Sequence, residues 1–191
     1  VLAFETDDLT GWMAGASARG LNVQPNQLDR GTIAEVRARR HRFEVDAVDD
    51  LAPREDTAAA ADNKISVLQI WYSPDPETAR QVIEKAGPAP RIAADDGVWA
   101  DFTCDGGGLV AVHAEEDVGV ELAFEFAGDI SELSATLNAA SVHHHVIDEK
   151  FSRCIRIPDP DLDGHIQINE RQRDLYGFAD LSQQQADQPV G

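Results

Sequence analysis

One pattern recurs three times along this chain: a short apolar-rich strand, a tight turn, and a stretch with helical spacing. The starts fall at Leu2, Leu68 and Leu122, 66 and 54 residues apart. A period of that size points to duplicated modules, because one strand–helix unit cannot bury its apolar face alone. In the first unit Trp12, Ala16 and Arg19 share a helical face and Gly20 suits a helix stop. In the second, Pro76 suits a first helical turn, Ala79, Val82, Ile83 and Ala86 make one apolar stripe, and Gly87 ends it. The third turns at Gly128-Asp129 and runs through Leu133 and Leu137.

Strand-like segments follow each helix: 32–37 and 41–48, then 97–104 and 109–114, then 151–157 and 165–169. The cluster Asp105-Gly106-Gly107-Gly108 joins two strands, so it predicts a hairpin turn and not a phosphate loop, which would need a helix after it. The run 158–170 drops from a Pro/Asp/Gly turn into Ile166-Gln167-Ile168-Asn169, alternating apolar and polar.

With the starts at Leu2 and Leu68 and the strand Leu122-Ala123-Phe124-Glu125-Phe126, that run resembles the vicinal-oxygen-chelate superfamily of glyoxalases, bleomycin-resistance proteins and extradiol dioxygenases. The resemblance implies an α+β fold in which paired βαβββ modules form a curved mixed sheet around one cavity. The expected organisation is an additional N-terminal module over 1–50, a linker over 51–64, a two-module domain over 65–175 and a C-terminal tail over 176–191. The Gln-rich end of that tail is expected to be mobile.

Side chains alternate between the faces of a strand, so parity predicts what lines the cup. With Leu68, Ile70 and Tyr72 on the helix, Gln69, Trp71 and Ser73 face inward. Parity likewise turns Trp99 and Asp101 inward, and with them Glu121, Ala123 and Glu125, Cys154 and Arg156, and finally His113 and Gln167. The expected ligand-binding set is therefore Gln69, Trp71, Trp99, Asp101, His113, Glu121, Glu125, Arg156 and Gln167. Aromatic walls with acidic neighbours suit a flat, neutral or cationic organic molecule.

Metal-dependent members of the resembled superfamily hold an ion with residues from the first and last strand of each module. Aligned by the turn after the first strand, those positions are Gln69, Ala111, Ala123 and Gln167. Two alanines and two amides lack the carboxylate or imidazole a divalent ion wants, so no metal cofactor is expected. A one-step shift to Glu121 or Glu125 and His113 is the alternative that would hold a divalent metal. His143 and His145 would share a strand face about 7 Å apart; a solvated junction is the expectation for that run. No Gly-x-Ser-x-Gly elbow and no dinucleotide fingerprint occurs, and the near match 15–19 lies inside a helix. Catalytic residues are accordingly left unassigned.

Asp and Glu number 35 against 16 Lys and Arg, a net charge of −19 that repels nucleic acid and anionic lipid. No run approaches the ~18 apolar residues of a membrane span. Cys104 and Cys154 form no metal or redox motif and are expected as free thiols in a reducing cytoplasm. The leading expectation is a cytoplasmic, homodimeric small-molecule-binding protein. Its alternatives are a metal-dependent lyase, isomerase or dioxygenase of the same fold, and a protein-interaction module.

Overall fold

The computed structural model describes residues 2–29, 31–47, 64–149, 152–160 and 163–182. The first module is strand β1 (Leu2–Thr6), helix α1 (Leu9–Ala18) and strands β2 (Val23–Leu28), β3 (Gly31–Ala38) and β4 (His41–Ala47). The second is β5 (Ile65–Ser73), α2 (Pro76–Ala86), β6 (Ala89–Ala94), β7 (Trp99–Thr103) and β8 (Leu109–Ala114). The third is β9 (Gly119–Phe126), α3 (Ile130–Ala139), β10 (His145–Asp148), β11 (Arg153–Pro158) and β12 (His165–Glu170). A last strand, β13 (Phe178–Asp180), pairs with β6. The linker 51–63, Phe151 and the tail beyond residue 182 lie outside the described residues.

Each helix begins at an aspartate whose carboxylate accepts a backbone N–H of the first turn: Asp8 from Gly11, Asp75 from Thr78, Asp129 from Ser131. This cap satisfies one of the donors that every helix start leaves unpaired. Gly87 closes α2 with φ 134°, a conformation that favours glycine. In the β7–β8 hairpin Gly107 and Gly108 both have positive φ, and Cys104 N–H donates to Gly108 across the turn.

The strands form two sheets. The first has the order β1-β4-β3-β2, with β1 parallel to β4. The second runs β10-β11-β12-β9-β5-β8-β7-β6-β13, with β5 and β9 antiparallel at its centre. Outward from that seam each module repeats one order: first strand, last strand, then the two between. The sheet is thus two βαβββ modules joined by their first strands, the expected α+β architecture.

The first module is not a loose flank. Its apolar face, with Leu2, Val36, Phe43 and Val45, merges with Trp71, Ala79, Val82 and Ile83 of the second into one buried cluster. Trp12 Nε1–H on α1 donates to Ala86 O (2.9 Å) and Arg19 Nε–H to Lys85 O (2.6 Å), satisfying carbonyls at the end of α2. His41 Nε2 lies 2.7 Å from Ser73 Oγ, and the Trp71 ring stands edge-on to both His41 and Phe43.

Burial pushes the His41 pKa down, against smaller opposing contributions from an Ala38 backbone hydrogen bond and the Asp75 charge. The unfolded chain takes up this proton near pH 6.5, while the folded one resists until lower pH. Stability is therefore lost as pH falls below about 6.5. The melting temperature should drop between pH 7.5 and 5.5, and His41→Gln should flatten that drop; an unchanged drop would contradict it.

Among the described residues no helix is long and apolar enough to cross a membrane.

Candidate functional site

The curved face of the large sheet encloses a cavity of about 400 Å³. From β5 it receives Leu68, Ile70 and Tyr72; from β7 and β8, Trp99, Asp101 and His113; from β11 and β12, Arg156, Gln167 and Asn169. Strand register sets their heights. Leu68 lies opposite Ala123, Ile70 beside Ala111, and Ala123 beside Gln167, which faces Arg156. The floor is thus apolar, with Leu68, Ile70, Ala111 and Ala123 in one small cluster against Tyr72 and Trp99.

Two residues expected in the cup lie on the other face. Trp71 is 1% exposed within the core shared with the first module, and Gln69 reaches Ala3 O at 3.5 Å. The physical reason is that the first module covers the back of β5 at Gln69, Trp71 and Ser73. A strand buried on both faces carries no polarity alternation, so its parity is not legible from sequence. The turn alignment fails for the same strand: Asp75 and Asp129 are equivalent caps, yet Leu68, not Gln69, lies opposite Ala123.

Trp99, Asp101, His113, Arg156 and Gln167 all line the cavity, as does Glu125, and Glu121 accepts the Tyr72 hydroxyl at 2.7 Å. The carboxylates among them are not free. Arg91 spans Asp101 and Glu125: its Nε donates to Asp101 Oδ1 (2.8 Å), and its Nη2 to Asp101 Oδ2 (2.8 Å) and to Glu125 Oε2 (2.6 Å). Arg91 Nη1 and Arg171 Nε both donate to Glu125 Oε1, and Trp99 Nε1–H to Asp101 Oδ2. Asp101 and Glu125 are nearly inaccessible, and such charges persist inside a protein only when paired. Burial alone would raise the Glu125 pKa, but the hydrogen bonds and charges of Arg91 and Arg171 outweigh it and hold it below the usual range. For Arg91, burial opposes the charge and the two carboxylates overcome it, so its pKa rises.

Arg91 was not singled out by sequence because β6 was not assigned as a strand. It occupies an irregularity in the β6–β7 ladder between Pro90 and Ile92. A bulge turns a side chain away from its regular alternation, and here it sends a guanidinium into the cup. The legible signal was indirect: an inward Asp101 and Glu125 on apolar strands demand a cationic partner.

At the other end of the cup Tyr72, His113 and Trp99 stand edge to face, with His113 5.6 Å from Tyr72 and 5.9 Å from Trp99. Burial raises the Tyr72 pKa, reinforced by the Glu121 hydrogen bond and by the charges of Glu121, Glu115 and Glu149. The phenol stays protonated. Cys154 is buried, and its pKa is pushed up to about 11, first by burial and then by the Glu149 charge. A thiol so protonated is a poor nucleophile.

The donors do not fit a resident divalent ion. The positions where the resembled superfamily binds metal are Leu68 or Ile70, Ala111, Ala123 and Gln167 once the register is read from the ladder. One amide among alkyl groups is no ligand set. In the one-step alternative Glu125 is held by two arginines and Glu121 by Tyr72, which leaves His113 with neither carboxylate free to share an ion. Among the described residues no three His, Cys, Asp or Glu converge to hold an ion. In the histidine run, His144 uses both ring nitrogens on Ser134 Oγ and Val142 O, while the rings of His143 and His145 lie 4.9 Å apart.

No family model matches this chain, and no curated protein matches it significantly. Several solved structures are similar. A halotolerant catechol dioxygenase shares 10% identity at TM-score 0.48, over 90% of this chain and 67% of its own. The 2,2',3-trihydroxybiphenyl 1,2-dioxygenase of Sphingomonas wittichii shares 11% at TM-score 0.49, over 90% and 71%. A glyoxalase/bleomycin resistance protein/dioxygenase superfamily member from Vibrio splendidus shares 17% at TM-score 0.38, over 56% of this chain and 98% of its own. The fold assignment itself rests on the repeated module topology.

Proposed function

We propose that this protein binds a small, flat, neutral or cationic organic molecule in the cup without a resident metal. The observation that carries the reading is the cup's composition: an apolar floor at the would-be ligand positions, walled by Tyr72, Trp99 and His113. The proposed contacts are Tyr72, Trp99, His113, Glu121, Arg156 and Gln167. Asp101 and Glu125 act behind them, holding Trp99 and Arg91 in place. Elemental analysis after dialysis should find no stoichiometric divalent ion. One ion per chain, lost on Gln167→Ala, would overturn the metal-free reading in favour of a metal-dependent enzyme of the same fold.

A second observation favours self-association as part of this proposal. Strand β1 forms an edge of its sheet, and Ile65, Val67, Val118, Val120 and Leu122 leave an apolar strip on the back of the β5–β9 seam. Open edges and apolar strips invite a second chain. Residues 1–47 carry six Arg against seven Asp and Glu, so almost all of the −19 lies elsewhere and this end meets its copy with least repulsion. Light scattering at micromolar concentration should give a homodimer; a clean monomer would contradict it.

A further inference from the structure

The cup is electrically polar, and this polarity says what kind of molecule it takes. At one end every carboxylate oxygen of Asp101 and Glu125 accepts at least one N–H, and two guanidinium groups offset the two charges. Along the Tyr72–His113–Trp99 wall, and among the described residues, Glu121 bonds only the Tyr72 hydroxyl, and Glu115 stands exposed on the rim with its Oε1 on Glu116 N–H. No Arg or Lys among the described residues pairs with either. Arg156, which also lines the cavity, is engaged by Glu149 at 3.0 Å.

The rings at that end carry negative faces, which attract a cation through their quadrupoles. Among the described residues His113 Nδ1 is buried there with no hydrogen-bond partner.

We infer that the ligand is an organic monocation with an apolar body, its cationic group lodged among Tyr72, Trp99 and His113 against Glu115 and Glu121. The body lies over Ile70 and Leu68. A second cationic group beside Asp101 and Glu125 would meet Arg91 and Arg171, and an anion would meet Glu115 and Glu121. This inference rests on the cup-binding reading above and narrows it to one ligand class.

Three probes of matched shape test it: phenethylammonium, phenethyl alcohol and hydrocinnamate, each titrated against the indole N–H resonance of Trp99. Phenethylammonium should bind at least about tenfold more tightly than the alcohol, the scale of one desolvated cation–ring contact, and hydrocinnamate should leave the resonance in place. The combined variant Glu115→Gln/Glu121→Gln should erase the gap while keeping an acceptor for Tyr72. Glu116→Gln/Asp117→Asn, with the same change in net charge outside the cavity lining, should preserve it. Equal binding of alcohol and ammonium would overturn the cation inference and leave the cup reading standing. Loss of the gap in the control variant would also overturn it, by assigning the preference to the protein's overall field. Failure of all three probes to move Trp99 would overturn the cup reading together with the inference.

Discussion

Trp71→Ala should cost about 3–5 kcal/mol of stability, the range for emptying a large aromatic site in a packed core. For a chain of this size the melting temperature should fall by roughly 10 °C. Trp71 is among the largest fully buried side chains, and its ring meets both Phe43 and His41 of the first module. Its loss therefore loosens the contact between modules as well as opening a void. Trp99→Ala should behave differently, with a smaller stability loss and a larger loss of ligand affinity, because Trp99 faces the cavity. Calorimetric melting of both variants separates the two roles. A larger loss at Trp99 than at Trp71 would reverse the assignment of faces.

Arg91→Met should be comparably damaging, at about 3–5 kcal/mol, because it strips the cation from two buried carboxylates. The deficit should depend on pH in a diagnostic direction. In the native protein the Glu125 pKa is depressed, so its contribution is present above the ordinary carboxylate pKa of about 4.3 and lost as pH falls through the lowered value. Without Arg91, burial acts with only Arg171 against it, and protonation relieves the strain of a poorly paired charge. The gap between variant and native stability should narrow from pH 7 toward pH 5. A gap that widens on acidification would contradict this account of the network. Arg91→Lys should recover only part of the loss, since one ammonium lacks the fork that serves both carboxylates.

Much of the fold was legible because the modules repeat and their signals agree. The aspartate caps, the apolar stripe of α2 and the Gly turn of β7–β8 each follow from local chemistry. One missed strand, β13, lies in the expected tail and is a short strand added to β6. Within the modules the strands missed from sequence share a place: β2, β6 and β10 all come directly after the helix. They sit at or near the sheet margins, carry Pro25, Pro90 or a histidine run, and show no clean alternation. Margin strands tolerate prolines and polar residues that central strands exclude, so their sequences look like loops.

The cup was legible where one face of a strand meets an ordinary core. On β9 and β12, for example, Phe124, Phe126 and Ile168 pack with α3, leaving Glu125 and Gln167 on the inner face. It was illegible on β5, whose back is covered by the first module, and at Arg91, whose aim depends on a ladder irregularity. Both misses come from long-range packing, which no local pattern encodes. That correction also revises the electrostatics: Asp101 and Glu125 are structural anions, and the unbalanced charge lies at Glu115 and Glu121.

The central claim is that this cup, and no other part of the protein, receives the ligand. Its three tryptophans provide the most direct measurement, since Trp12 bonds Ala86 O, Trp71 is sealed in the core and Trp99 lines the cavity. Nitrogen-15 labelling gives three indole resonances, with the Trp99 signal identified by Trp99→Phe. On titration with phenethylammonium the Trp99 signal should move while those of Trp12 and Trp71 stay in place. Movement of Trp12 or Trp71 with Trp99 unmoved would contradict the account.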